Sequence, residues 1–234
     1  MIGRAERRPG LRLSRAGILV SRASILVSGA GLRVMGLAGL TGLLAVAGGI
    51  AGTSDAAAGT KITAQYRVTG STYLKAVNTT MALGPGKLAA KVNLRTAKLS
   101  ASLSLPDATA SFQEIGLIPV TATTQFVQDG PTTGAINLNT GAVRTRSKIT
   151  LQLVGLTIGG LGVPVGSNCA SSSPATIALA STKGFSVVKG GKLAGTYTIP
   201  PFAGCGPLIT PLLNSTIPGP GNTITLKLGA AKTG

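Results

Sequence analysis

Apolar and polar residues alternate with a period of two from about residue 61 to the end of the chain. The first run is residues 62–68 (ITAQYRV), in which Ile, Ala, Tyr and Val are separated by Thr, Gln and Arg. Such alternation is typical of a strand with one buried face. The pattern recurs at residues 88–94, 99–105, 120–126, 136–138, 143–153, 175–179, 185–187, 193–199 and 224–228. These runs predict about ten strands.

Short turns join several of these strands. Residues 95–98 (RTAK) separate two alternating runs and predict a hairpin, and Pro106-Asp107 ends the second of them. Residues 139–141 (NTG) predict the clearest hairpin, because Asn and Gly tolerate the positive φ that tight turns need. A short helix is expected only in residues 207–217, beginning near Thr210-Pro211. The fold class is therefore all-β: a single antiparallel domain of about ten strands, either a sandwich or barrel-like.

The first 58 residues have the order of a secretory signal peptide, whose apolar part is expected to be helical. Residues 1–33 are a basic n-region, residues 34–52 form an uncharged apolar h-region, and Ala56 and Ala58 provide small residues for cleavage. Residues 59–234 then form the β domain, secreted or held in the cell envelope. An uncleaved anchor remains an alternative, since roughly 18 apolar residues are at the lower limit for spanning a bilayer. Arg7-Arg8 leaves twin-arginine export as a second route.

Cys169 and Cys205 are the only two cysteines. In an exported chain an even number of cysteines indicates a disulfide. The chain has no His and no further Cys to complete a tetrahedral site, so we expect no metal. We also expect no cofactor, because Gly159-Gly160-Leu161-Gly162 lacks the spacing of a dinucleotide-binding loop.

The β domain is strongly basic. Residues 59–234 contain 15 Lys and Arg but only three acidic residues, which favours polyanionic partners. Outside a cell these are anionic wall polymers or lipid headgroups. Aromatic residues make up 3% of the chain, which argues against a specific nucleic-acid platform. Contact with a membrane is expected only through the leader, before cleavage.

Six basic residues are candidates for polyanion binding. The first three alternate with uncharged residues and should project from one face of one strand, while the others cluster around the Gly190-Gly191 turn. A solvated outer face that discourages edge aggregation is the alternative interpretation. The candidates are Arg144, Arg146, Lys148, Lys183, Lys189 and Lys192.

Catalytic patterns are sparse. Asp107 and Glu114 are seven positions apart, and no spacing rule brings them together as a glycosidase pair. Ser186 and Lys189 match the S-x-x-K motif of penicillin-recognising serine enzymes. In those enzymes the serine begins a helix, whereas here it falls in an alternating run that predicts a strand. We therefore expect a protein that is not an enzyme.

The C-terminal part carries a family resemblance. Residues 195–206 (GTYTIPPFAGCG), 210–214 (TPLLN) and 218–223 (PGPGNT) resemble secreted proteins of high-GC Gram-positive bacteria to which no activity is assigned. The similarity extends through most of residues 60–228. It implies export and an all-β fold, and it implies no catalytic residues.

Three hypotheses for function follow. The first is a non-enzymatic, envelope-associated protein that binds anionic envelope material through a basic outer face. The second is a carrier of an apolar or lipid ligand, because Ala90, Ala101, Ala122 and Gly195 leave room in the interior, although small residues also permit close packing. The third is a hydrolase that uses Ser186 and Lys189.

Overall fold

The structure is a computed structural model that describes residues 61–114 and 118–233. The leader, its subdivision and the cleavage residues Ala56 and Ala58 lie outside the described residues. The strands are β1 (Lys61–Leu74), β2 (Thr79–Asn93), β3 (Lys98–Ser104), β4 (Ala108–Glu114), β5 (Ile118–Gln128), β6 (Thr132–Ile136), β7 (Val143–Ile158), β8 (Leu161–Val163), β9 (Ala170–Ser171), β10 (Ala175–Ser181), β11 (Gly191–Ile199), β12 (Phe202–Ala203), β13 (Gly219–Leu228) and β14 (Lys232–Thr233). One helix, α1 (Ile209–Thr216), is found within these ranges.

Eight of the strands close into an antiparallel barrel. The order around the barrel is β1, β2, β3, β6, β7, β10, β11 and β13, and β13 pairs with β1 from Val68↔Leu228 to Tyr73↔Thr223. Barrel strands that are consecutive in the sequence are therefore neighbours in the barrel. Of the two predicted architectures, the barrel is the one that forms.

Several barrel strands continue beyond an interruption. β5 and β6 pair with the same edge of β7, at Gln128↔Ile149 and Thr133↔Arg146, so they form one line broken at residues 129–131. β3 and β4 continue one another in the same way, since they pair with β6 and β5 respectively. The long strand β7 thereby carries both the barrel and its extension.

Side-chain alternation explains why the sheet closes around an apolar interior. On β1, Ala64, Tyr66 and Val68 are buried, whereas Gln65 and Arg67 are exposed. The other barrel strands repeat this pattern, so their apolar faces meet inside and their polar faces cover the outer wall. Burial of this continuous apolar surface is the main driving force for closure.

The two ends of the barrel differ. We call "upper end" the mouth formed by the start of β1, the β2–β3 turn, the β6–β7 turn and the loop of residues 182–190, and "lower end" the opposite mouth. At the lower end the Cys169–Cys205 disulfide is formed and both cysteines are buried. Helix α1 packs there through Leu213, and Asn214 accepts a hydrogen bond from Phe202 N at 2.7 Å. The lower end is therefore closed by a helix and a covalent link.

Most sequence predictions of secondary structure are confirmed. The structure adds the short strands β8, β9, β12 and β14, which no alternating run indicated, and it differs in three other segments. The strand β4 and the first half of β2 are not expected from the sequence, because Pro106-Asp107 and Gly84-Pro85-Gly86 have the composition of turns. The strand predicted at residues 185–187 is wrong. These residues belong to the upper-end loop, which contains a single bridge between Ser186 and Gly190.

Candidate functional site

An apolar cavity lies inside the barrel, below the upper end. Its volume is about 70 Å³, and its polar lining is limited to a few hydroxyl groups. Ala90 and Ala101 border this cavity, so both leave space in this part of the interior. Two further apolar voids, of about 40 and 30 Å³, lie lower in the barrel. The described interior is thus largely filled, and its closed cavity is too small for an acyl chain.

The other two small residues have different surroundings. Ala122 borders the 40 Å³ void. A Cβ atom on Gly195 would overlap the carbonyl oxygen of Ala178, because β10 passes directly against β11 at this point. Gly195 therefore serves the close approach of two strands rather than cavity space.

The loop of residues 182–190 closes the upper end. Phe185 and Val187 point into the cavity and form part of its lining. Gly184 and Gly190 have φ of 84° and 78°, a region that suits glycine, and they allow the chain to turn back into the barrel mouth. The loop therefore closes the mouth of the barrel with two apolar side chains, and we call residues 182–190 the plug.

The side chain of Tyr66 attaches this plug to the barrel wall. The Tyr66 hydroxyl donates to the carbonyl oxygen of Val187 at 2.7 Å. Burial raises the pKa of Tyr66, so the phenol keeps its proton and its role as donor. A backbone bond from Ala231 N to Val188 O, at 2.8 Å, attaches the loop on its other side.

A second buried polar cluster lies toward the lower end. Thr72 Oγ1 donates to Thr223 O at 2.9 Å, and Tyr197 Oη lies 2.8 Å from Thr72 Oγ1. Because Thr72 has a single hydroxyl proton, Tyr197 is the donor of this second bond. Burial raises the pKa of Tyr197. Asn222, fully buried, donates to the carbonyl oxygens of Tyr197 and Gly219. The polar side chains of this cluster are all hydrogen-bonded, which indicates a structural role.

The six basic candidates are all exposed, as predicted, but they do not form one patch. Arg144, Arg146 and Lys148 project outward from β7, and we call them the β7 stripe. Lys183 and Lys189 lie in the upper-end loop, and Lys192 lies on the outer face of β11. β10 separates β7 from β11, so the stripe and Lys192 are on strands roughly 10 Å apart.

The structure adds a second basic group that sequence patterns did not reveal. Lys192 and Lys227 are directly opposite on β11 and β13, and Arg67 and Lys87 are directly opposite on β1 and β2. Strands β13 and β1 are neighbours, and Lys227 of β13 is opposite Thr69 of β1. Thr69 is two residues from Arg67 on the same face of β1, so the two pairs are adjacent on the outer wall. We call these four residues the cationic row. It crosses four adjacent strands, roughly 15 Å of the outer wall.

Neither Asp107 nor Asp129 lies beside this row, because Asp107 is near Gln125 of β5 and Asp129 N bonds to Lys148 O of β7. Asp107 and Asp129 lie in the connections after β3 and β5, and Glu114 ends β4. Like charges directly opposite on paired strands are destabilising. The register thus concentrates four exposed positive charges on one part of the outer wall.

The residues of the two catalytic patterns have structural roles or are far apart. Asp107 directly precedes β4 and Glu114 ends it, so their backbones are roughly 20 Å apart at the spacing of an extended strand, too distant for a glycosidase pair. Ser186 Oγ accepts hydrogen bonds from Val188 N and Lys189 N, at 3.3 and 3.4 Å. It stabilises the turn of the plug.

Within residues 61–114 and 118–233, no three His, Cys, Asp or Glu residues come together as a metal site. No helix in the part of the chain that the structure describes is long and apolar enough to cross a membrane. The disulfide indicates an oxidising environment outside the cytoplasm.

Comparisons of the chain with protein families, with curated proteins and with solved structures find no match. The surfaces and interior of the barrel are therefore the basis for a proposal about function.

Proposed function

We propose that this protein is an exported, non-enzymatic component of the cell envelope that binds anionic envelope polymers through the outer wall of its barrel. The observation that carries the proposal is the cationic row: two directly opposed pairs of cations on four adjacent strands. A bound polyanion would place negative charge between these cations and offset their mutual repulsion. The β7 stripe is a basic surface without directly opposed cations, because Arg144, Arg146 and Lys148 pair only with uncharged residues of β6 and β10.

The geometry suits a linear polymer better than a small anion. The row is about 15 Å long and follows the hydrogen-bonding direction of the sheet, so successive phosphates or carboxylates of one chain can meet successive side chains. Lysine and arginine on a rigid wall need little rearrangement to make these contacts. Binding should weaken steeply with salt, because each neutralised phosphate releases a counterion.

The test compares two variants of equal charge, with inorganic polyphosphate as the probe. In the first, all four residues of the cationic row are changed to Gln; in the second, the three residues of the β7 stripe and Lys183 are changed to Gln. The row variant should lose affinity at low salt, and the slope of log affinity against log salt should fall by about 3. Equal losses in both variants would mean that net charge alone attracts the polymer, and the proposal would fail.

A carrier of an apolar ligand is the second candidate, and the cavity closed by the plug favours it. Phe185 and Val187 line the 70 Å³ space, so their displacement would open it toward the upper end. The test is the mass of the exported protein under native and denaturing conditions. Extra mass that is lost on denaturation supports a carried ligand, and bare protein in both conditions argues against it. The same spectrum gives the N-terminus, and so tests cleavage after Ala58.

A further inference from the structure

The upper end of the barrel exposes apolar side chains from four separate segments. Ile62 at the start of β1 is 45% exposed, Leu94 in the β2–β3 turn 37%, Leu138 in the β6–β7 turn 52%, and Val188 in the plug 68%. Three of these residues extend the inward-facing series of their strands. Each lies two positions beyond the last inward-facing residue that the barrel covers, and they are Ile62, Leu94 and Leu138. The apolar lining of the barrel thus extends past its mouth into solvent.

Pairing of the strands brings these four segments together around one mouth. Ile62 pairs with Val92 beside the β2–β3 turn, and Ile136 N donates to Ala97 O to join that turn to β6. Val143 N donates to Ser181 Oγ, which attaches the β6–β7 turn to the strand leading into the plug. The exposed residues therefore form a rim, and we call Ile62, Leu94, Leu138 and Val188 the apolar rim.

Exposed cations surround this rim. The segments at the upper end contribute six of them: Lys61, Arg95, Lys98, Lys183, Lys189 and Lys232. The acidic residues of the described chain all lie elsewhere, in the connections after β3 and β5 and at the far end of β4.

The lower end provides the contrast. It also exposes apolar residues, such as Leu161 at 75% and Leu208 at 81%. Its described turns, however, carry Lys75 as their only cation. Both ends therefore expose apolar side chains, but only the described upper end combines them with several positive charges.

From this combination we infer that the upper end docks on the surface of an anionic lipid bilayer. The apolar rim enters the boundary between headgroups and acyl chains, and the surrounding cations contact lipid phosphates. Shallow insertion of apolar side chains together with attraction of basic residues to anionic lipid is a general mode of surface binding. The inference goes beyond the expectation that only the leader contacts a membrane. It does not depend on the cationic row or on polymer binding.

The absence of tryptophan from the chain allows a clean test. Leu138→Trp places a single fluorescent reporter on the rim, and Leu161→Trp places a matched reporter at the lower end. The exported protein is mixed with vesicles of phosphatidylglycerol and phosphatidylcholine, or of phosphatidylcholine alone. Emission of Leu138→Trp should shift to shorter wavelength with the anionic vesicles only, and emission of Leu161→Trp should not shift. A shift of both reporters, or of neither, would overturn the inference.

Two further variants in the Leu138→Trp background separate the contributions. Leu94→Ser with Val188→Ser should weaken partition into anionic vesicles by roughly tenfold or more, because two apolar contacts with lipid are lost. Replacement of the cationic row by Gln should leave the shift in place, so failure of polymer binding and failure of docking are distinguishable. A shift that occurs without vesicles and grows with protein concentration would assign the rim to a second copy of this chain and refute docking on lipid.

Discussion

Removal of the hydroxyl group from Tyr66 should loosen the plug without unfolding the barrel. Tyr66 is a wall residue of β1, and its phenol makes the one side-chain hydrogen bond from the described barrel wall to the backbone of the plug, to Val187 O at 2.7 Å. Tyr66→Phe keeps the ring, which packs against the cavity, and deletes only this bond. The substitution therefore acts on the closing of the upper end more than on the core.

The expected size follows from the environment of the bond. A partly buried hydrogen bond between neutral groups contributes about 1 kcal/mol. If the plug opens as a unit, its opening equilibrium rises by about fivefold, since RT is about 0.6 kcal/mol. The amide of Gly190, which donates to Ser186 O within the plug, should then exchange about fivefold faster. Amides in the centre of β7 should keep their rates.

Hydrogen exchange followed by mass spectrometry measures this difference. Tyr73→Phe is the matched control, because Tyr73 donates an exposed bond of the same length, 2.7 Å, to Asn78 at the lower end. The control should leave the exchange of residues 182–190 unchanged. Unchanged exchange of the plug in Tyr66→Phe, or equal acceleration across the barrel, would refute the assigned role of this bond.

Three further changes probe the barrel itself, each measured by urea unfolding. Replacing both Cys169 and Cys205 by Ala should lower the free energy of unfolding by about 3 to 4 kcal/mol, because the closed loop of 36 residues no longer restrains the unfolded chain. A loss below about 1 kcal/mol would contradict this. Gly195→Ala should cost about 1 to 3 kcal/mol through overlap with the backbone of β10, whereas Gly162→Ala, with open space around the added methyl group, should cost less than about 0.5 kcal/mol. Stability should also fall as the pH rises above about 10, because the folded state holds the phenolic proton of Tyr197 more tightly than the unfolded state. Tyr197→Phe should make this fall less steep. An unchanged dependence of the free energy of unfolding on pH would show that other groups cause it.

The sequence predicts local features well, because they depend on residues close together in the chain. The turn at residues 139–141 and the outward direction of Arg144, Arg146 and Lys148 follow directly from alternation. The same pattern misplaces residues 185–187, whose apolar side chains are buried by turning into the mouth of the barrel rather than by lying on a sheet. Alternation identifies which residues are buried, and it does not identify what buries them.

The cationic row could not be predicted from the sequence. Its members lie on β1, β2, β11 and β13, and only the register of these strands places Lys192 opposite Lys227 and Arg67 opposite Lys87. The apolar rim has the same origin. Each of its residues looks like an ordinary member of a turn or strand end, and closure of the barrel makes them neighbours.

The seam between β1 and β13 has a consequence for the order of assembly. Other seams of the barrel join strands that are nearer in the chain, but this one joins distant segments, as the bond from Thr72 Oγ1 to Thr223 O spans 151 positions. Until β13 arrives, β1 keeps an unpaired edge of backbone donors and acceptors that could recruit a strand from another molecule. Arg67 and Lys227 flank that edge, one on each side of the seam. In a second, partly assembled molecule the same two residues carry the same charge. The two molecules would therefore repel each other at this edge, and the edge of β1 would stay available for β13 of its own chain.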